Sequence, residues 1–317
     1  MPRIIFLLFL SIAAAPCSFC RPNLPLPDHT QVILDLIYSG RTDLAIPKAK
    51  ELQQQSPDHP LGYILEAEAL WWNIWCSSAE YKYGMTMPRH REKLAADQHY
   101  LDLAVKARSV AEANLKNHES AEMYFYAGMS EALEARLYGL RWENRATART
   151  GVHARENFTK ALALDSGLAD ADLGIGLYEY YVDTLSTMAR VLRFFMGIPG
   201  GTKEEGIRRL KRAIREGQLT PAIARFYLAI DLHNYDQKYE EALQVISPLV
   251  QQYPGNPIFL LAQGDLFAKL GRKQQALQAY TAAATAVSTC DPAWRTKIES
   301  LATQSTAALS RDAAGKH

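Results

Sequence analysis

Apolar residues recur at helical spacing along almost the whole chain, and no stretch alternates in the manner of a strand. The spacing predicts helices at about 29–39, 43–56, 60–84, 91–116, 119–143, 149–164, 168–184, 203–216, 221–234, 238–252, 257–270 and 273–287, and a closing helix from 292. Short polar turns separate them. The pattern therefore predicts an all-α chain of about six helical hairpins plus a C-terminal capping helix.

Three dipeptides mark helix starts near the C-terminal end: Thr220-Pro221, Asn256-Pro257 and Asp291-Pro292, at steps of 36 and 35 residues. The side-chain oxygens of Thr, Asn and Asp accept hydrogen bonds from the free N–H groups of a first helical turn, and proline at the next position removes an N–H that had no partner. A fixed period near 35 residues is typical of a helical-repeat superhelix.

Within the last period, small and large residues stand where two antiparallel helices would cross. They are Gly264, Phe267, Gly271, Ala276, Tyr280 and Ala283. This order resembles the tetratricopeptide-repeat (TPR) family, in which small residues permit close helix approach and large ones fill the adjoining space. The resemblance extends over most of residues 28–309. The preceding repeat has Ile230 where the pattern has a small residue, and residues 60–150 fit the period poorly.

Residues 176–181, followed by the glycine-rich turn at 197–201, also resemble a segment of exported bacterial repeat proteins without assigned activity. The family resemblance implies an α-α superhelix, or solenoid, whose concave groove binds an extended peptide or a helix. Some members hold a peptide carboxylate with a Lys/Asn clamp. The corresponding positions here are Tyr227, Asp231, Leu261 and Asp265, so the clamp is absent and these four are candidate partner-binding residues.

The N-terminus has the features of an export signal. Arg3 precedes an apolar stretch, residues 4–15, that is too short to span a membrane. We predict a signal peptide at 1–20, a proline-rich extended linker at 21–28, the repeat domain at 29–309 and a disordered tail at 310–317. Cys17 lacks the preceding residues of a lipidation site, so a periplasmic or envelope location without lipidation is expected.

Two of the four cysteines lie beyond the signal, Cys76 and Cys290. An oxidising compartment permits a bridge between them, but in a linear array residues so far apart in sequence would sit in distant repeats. We expect two separate buried thiols.

The net charge of +1 does not indicate a nucleic-acid partner, and export argues against one. The basic residues around Arg208–Arg215 are expected on one helix face, either solvated or against an acidic surface.

No catalytic motif is apparent. In the turn at 197–203, Thr202 precedes Lys203 and Glu204 follows it, which is the wrong order for a nucleotide-binding P-loop; Thr202 instead predicts a helix cap. The histidines lack metal-site spacing and are expected at surfaces or interfaces. The sequence predicts a non-enzymatic protein without cofactor or metal.

Aromatic residues offer a second candidate surface. Trp71 and Trp75 share a helix face, whereas Trp72 is turned about 100° away and is a candidate for the groove; core packing is the alternative. An apolar insertion is expected at 186–201, where Phe194, Phe195 and Met196 either pack between repeats or contact a membrane or partner.

The function predicted from the sequence is an exported scaffold for protein–protein interaction or assembly in the cell envelope. The alternative is a helical module that binds envelope lipid or glycan through exposed aromatics and residues 188–198. The oligomeric state is left open.

Overall fold

The computed structural model describes residues 24–186 and 199–314, so the predicted signal peptide and Phe194, Phe195 and Met196 lie outside the described residues. These ranges form thirteen α-helices and one two-stranded sheet. The helices are α1 Thr30–Tyr38, α2 Thr42–Gln55, α3 Leu61–Ser78, α4 Ala95–Asn117, α5 Ala121–Leu140, α6 Asn144–Leu164, α7 Asp172–Thr184, α8 Lys203–Glu216, α9 Pro221–Asn234, α10 Tyr239–Gln252, α11 Pro257–Lys269, α12 Lys273–Ala286 and α13 Arg295–Ala314. The strands are β1 Ala79–Lys82 and β2 Met85–Pro88, and single 3₁₀ turns lie at Ala169–Ala171 and Pro292–Trp294.

Each helix packs mainly on the next one along the chain, which makes the fold a superhelix of antiparallel pairs. The crossing of α11 and α12 shows why the repeat needs a small residue there. A Cβ atom added to Gly264 would lie 2.5 Å from the Tyr280 ring, so only glycine permits this approach. The all-α prediction of about six hairpins and a closing helix is confirmed.

The predicted helix starts are correct, although one cap is not. Asn256 accepts from the N–H groups of Ile258 and Phe259, and Asp291 accepts from that of Ala293. Thr220 caps nothing; its hydroxyl donates to Asp170 instead.

The Asp170 carboxylate binds the free N–H groups just before α9 in place of a Thr220 cap. It accepts the N–H groups of residues 218, 219 and 220 at 2.8–3.0 Å. The donors left free before α9 are therefore satisfied by a side chain from an earlier repeat.

The prediction of a continuous helix over 60–84 is wrong, because α3 ends at Ser78 and a hairpin follows. Lys82 pairs with Met85 across a two-residue turn in which Tyr83 and Gly84 both have positive φ, at 57° and 72°. Such a turn requires left-handed backbone at both positions, which glycine adopts without strain. Tyr83-Gly84 was the local signal for this turn.

The superhelix closes on itself, a feature that the sequence did not reveal. Asn256 Nδ2 donates to Tyr38 O at 2.9 Å, and the Asp291 N–H donates to Gly40 O at 2.7 Å. A Cβ atom on Gly40, whose φ is 78°, would lie 3.2 Å from the Trp294 ring. The first hairpin thus packs against the last repeats and the turn before α13.

Closure buries residues that a linear array would expose. Trp72 is fully buried, with its ring centroid 5.0 Å from Phe226 and 5.5 Å from Phe259, so its prediction as a groove residue is wrong. Trp71 and Trp75 are buried as well. All three tryptophans of α3 lie in the core because α3 is enclosed by helices from both ends of the chain.

The two cysteines are free and buried, as predicted, but they do not lie in distant parts of the fold. Burial, and to a smaller extent the nearby Cys290, raise the pKa of Cys76 to about 12. Their proximity follows from closure, which brings the turn before α13 against α3.

Two predicted boundaries change at the ends. Leu24 is buried in the core, so the described end of the predicted linker packs on the repeats instead of standing away from them. Helix α13 continues to Ala314, past the predicted end at 309. None of the helices in the described ranges has both the length and the apolar character needed to cross a bilayer.

Candidate functional site

The inner surface of the superhelix carries a group of polar side chains, which we call the inner cluster: Glu68, Arg136, Tyr181, Tyr227 and Asp231. They come from α3, α5, α7 and α9, which are brought together by the curvature of the repeats. Charged residues are seldom buried in a protein interior unless they are paired. A concentration of them on the inner face makes this the candidate site.

Arg136 anchors one side of the inner cluster. Its Nη2 donates to Glu68 Oε2 at 2.7 Å, its Nε lies 3.2 Å from the Tyr100 hydroxyl, and its guanidinium carbon is 4.3 Å from the centre of the Trp71 ring. Burial opposes the charge on Arg136, but Glu68 and Tyr100 outweigh it and hold the pKa well above its ordinary value. The guanidinium is thus fixed and permanently charged.

Tyr227 lies half-buried between that ion pair and Asp231. Burial raises the pKa of its hydroxyl to about 12, although the nearby Arg136 lowers it in part. The hydroxyl is therefore a neutral donor and acceptor at physiological pH.

Asp231 is the other anchor of the inner cluster, and it is 2% exposed. The Tyr181 hydroxyl donates to its Oδ1 at 3.0 Å. No donor in the part of the chain that the structure describes reaches its Oδ2, which is also buried. Burial raises the pKa of Asp231 well above its ordinary value. Glu68 Oε1 and the Tyr227 hydroxyl are likewise buried without a hydrogen-bond partner among the described residues, so the inner cluster has unsatisfied polar atoms on both sides.

Three tyrosine rings stand next to Asp231. Tyr180, Tyr181 and Tyr235 contact one another edge to face, with centroids 5.9–6.1 Å apart. Tyr181 is 37% and Tyr235 52% exposed, so this side of the cluster meets solvent. Lys203 Nζ bonds Asp236 at 2.5 Å and lies 5.4 Å from the centre of the Tyr180 ring.

The structure separates the predicted partner-binding residues into two groups. Tyr227 and Asp231 belong to the inner cluster. Leu261 and Asp265 are fully buried core residues, which corrects their prediction as groove residues. Asp265 accepts the N–H of Thr86 in β2 at 2.6 Å and the Tyr280 hydroxyl at 2.9 Å. The hairpin covers this end of the inner surface.

Sequence reasoning missed Glu68, Arg136 and Tyr181. A signal for Glu68 exists, because Glu66 and Glu68 are the charged residues of a helix that is otherwise mostly apolar, where a charged residue needs a partner. Arg136 has no comparable local signal. Tyr181 lies in the segment 176–181 that resembles exported repeat proteins, but no role was predicted for it.

The basic side chains on α8 form ion pairs with neighbouring carboxylates. Arg209 and Arg212 bond Asp172 at 2.7 and 2.6 Å, and Lys211 bonds Glu241 at 3.0 Å. Thr202 caps this helix as predicted, accepting from the N–H of Glu205.

Residues 24–186 and 199–314 contain no group of three His, Cys, Asp or Glu side chains that could hold a metal ion. One histidine departs from the predicted surface or interface placement: His233 is buried, and burial lowers its pKa to about 4.

No family model matches the chain, and no curated protein matches its sequence. Among solved structures it is similar to YrrB, described as a TPR protein with an unusual peptide-binding site, at 16% identity over 81% of this chain and 96% of that chain, with a TM-score of 0.35. A likeness at this level is too low to transfer a binding site. The consecutive helical hairpins give the chain an all-α superhelical fold.

Proposed function

We propose that this chain is an exported, non-enzymatic scaffold that holds an extended peptide segment of a partner protein at the inner cluster. The observation that carries the proposal is Asp231, a buried carboxylate whose Oδ2 has no donor among the described residues and which lies beside two partly exposed tyrosines. Partly exposed tyrosines around a polar anchor are typical of protein-binding surfaces.

The β-hairpin supports an extended ligand. Strand β2 lies on the inner surface, where its Thr86 N–H is bound by Asp265, and Met87 Sδ lies 3.6 Å from Asn234 Nδ2 at the end of α9. The inner surface therefore already holds one extended segment of this chain through its main chain. A partner's segment bound beside it would use the same type of contact.

Export and a place in the cell envelope rest on the features of residues 1–20 and on the resemblance to exported repeat proteins. Cell fractionation and N-terminal sequencing of the mature chain test this part. Recovery of uncleaved protein from the cytosol would contradict it.

Binding is tested by cross-linking in intact source cells, purification of the tagged chain and mass spectrometry of what accompanies it. One abundant envelope protein is expected, and it should be lost with Tyr227→Ala. Tyr83→Ala is the matched control, because Tyr83 is 75% exposed on the hairpin turn and lies outside the inner cluster. Recovery of the chain alone, or with only lipid or glycan, would overturn the proposal.

A second candidate function is binding of envelope lipid or glycan. It is favoured by Trp142, which is 58% exposed and has the Arg91 guanidinium carbon 3.0 Å from its ring centre, an aromatic and a cation together on the outer surface. Sedimentation with liposomes or glycan tests it. Binding that is lost with Trp142→Ala, or with the double substitution Phe194→Asp, Phe195→Asp, would favour this candidate over the first.

A further inference from the structure

Two buried aspartates occupy the same position in successive repeats. Asp231 in α9 and Asp265 in α11 are 34 residues apart, and each side chain faces the interior. Asp265 has a donor on each oxygen, the Tyr280 hydroxyl on Oδ1 and the Thr86 N–H on Oδ2. Asp231 has a donor on Oδ1 alone.

The difference follows from the neighbouring residues. The position equivalent to Tyr280 in the preceding repeat is Ile246, which cannot donate a hydrogen bond, and Tyr181 of α7 supplies the donor in its place. The hairpin strand that supplies the second donor to Asp265 bonds no oxygen of the Asp231 carboxylate. The repeat thus provides a carboxylate at Asp231 without the full set of donors that its equivalent has.

The charges around Asp231 do not neutralise it by direct contact. Arg136 is bonded to Glu68, and Lys203 is bonded to Asp236 at 2.5 Å. No ion pair to Asp231 forms among the described residues. A buried carboxylate without a paired cation is unfavourable, either as the ion or through the protonation that replaces it.

The tyrosines beside Asp231 suit a cation. The face of an aromatic ring attracts a positive charge within about 6 Å of its centre. Lys203 already uses the Tyr180 ring in this way, with Nζ 5.4 Å from the centroid. Tyr181 and Tyr235 contact that ring and are partly open to solvent, so a side chain approaching from outside meets them first.

We propose that Asp231 and the rings of Tyr180, Tyr181 and Tyr235 form a subsite for the ammonium or guanidinium group of a lysine or arginine side chain in the bound peptide. The cation donates to Asp231 Oδ2 while the rings surround its stem. This proposal rests on the proposed function and specifies which residue of the partner is recognised.

The test is isothermal titration of the purified chain with three acetylated and amidated pentapeptides, Gly-Gly-X-Gly-Gly, in which X is lysine, Nε-acetyl-lysine or norleucine. The lysine peptide is expected to bind at least about tenfold more tightly than the other two, which corresponds to about 1.4 kcal/mol. Asp231→Asn is expected to remove that preference.

Asp265→Asn is the matched control, because it alters the equivalent buried carboxylate whose oxygens both have donors. It should keep the preference for lysine. Circular dichroism shows whether each variant is folded, and Asp231→Glu, which retains the charge, should keep part of the preference if Asp231→Asn does not fold.

Three results would overturn the subsite. Equal binding of all three peptides would show a peptide site without charge recognition, and would leave the proposed function standing. Preference for lysine in folded Asp231→Asn would place the recognition elsewhere. Binding of n-butylammonium as tight as that of the lysine peptide would indicate a site for small amines instead of a peptide. Recovery of the unaltered chain without a protein partner in the cross-linking experiment would, by contrast, overturn the scaffold itself.

Discussion

The indole N–H of Trp294 donates to the side-chain oxygen of Asn73 at 2.8 Å and so joins the turn before α13 to helix α3. Trp294 is 1% exposed. In an open array these residues would belong to repeats that never meet.

Trp294→Ala should therefore destabilise the whole chain, and not only its last helix. We expect a loss of about 3–5 kcal/mol in the free energy of unfolding, because a large buried ring is removed. Trp294→Phe should cost less because the new ring fills most of the space. Urea denaturation followed by circular dichroism measures both, and Trp142→Ala on the outer surface should change stability by less than about 0.5 kcal/mol. Selective loss of α13 with the remaining helices unchanged would contradict closure.

Glu68→Gln should be strongly destabilising because it leaves the Arg136 guanidinium buried without its anionic partner. Breaking a buried ion pair in this way costs about 3–5 kcal/mol. The exposed pair Arg272 and Glu240 is the control, and Glu240→Gln should cost less than about 1 kcal/mol. Thermal and urea unfolding measure the difference; equal small effects at the two sites would show that the inner pair is solvated.

The Asp265 carboxyl should make stability depend on pH. Burial raises its pKa to about 7, so the folded state binds a proton that the unfolded state releases near 3.8. The stabilisation that this proton binding gives the folded state is present below about pH 4 and is lost as the pH rises to about 7. It amounts to about 4 kcal/mol in total. The measurement is the free energy of unfolding of wild type minus that of Asp265→Asn.

The free energy of unfolding is compared between wild type and Asp265→Asn because His233 titrates in the same pH interval and changes stability in the opposite direction. Burial lowers the pKa of His233 to about 4, so the stability that it contributes is lost as the pH falls from about 6.5 to 4. Asp265→Asn retains His233, and subtraction removes its effect. A difference that does not change between pH 4 and 7.5 would show that Asp265 stays ionised.

The thiols of Cys76 and Cys290 should react very slowly with a thiol reagent at pH 8 in the folded chain. Burial raises the pKa of Cys76 to about 12 and that of Cys290 to about 11, so the reactive thiolate is rare. In a variant with Cys17 and Cys20 changed to serine, two equivalents should react only after unfolding in urea. Rapid reaction of one equivalent in the native state would show that this cysteine is accessible.

Local rules accounted for much of the fold. The caps at Asn256 and Asp291 follow from residues within one helical turn. The close packing of Gly264 on Tyr280 follows from the small and large positions of a single repeat. The same rules did not detect the turn at Tyr83-Gly84, because the apolar helical pattern of α3 continued into it.

The candidate site was predicted only in part, for a physical reason. Tyr227 and Leu261 occupy equivalent positions in successive repeats, yet one lies half-buried in the inner cluster and the other lies in the core. What separates them is the hairpin and the first helices, which cover only one end of the inner surface. That covering depends on the summed curvature of all the repeats, so the sequence of any single repeat does not indicate it.

Closure also fixes the number of repeats. An open array can gain or lose a 34-residue unit during evolution, since each unit contacts only its neighbours. Here an extra unit would carry Asn256 away from Tyr38 and Trp294 away from Asn73, and a missing one would force the ends into each other. Insertions in related chains are therefore expected within loops, while the repeat count stays constant.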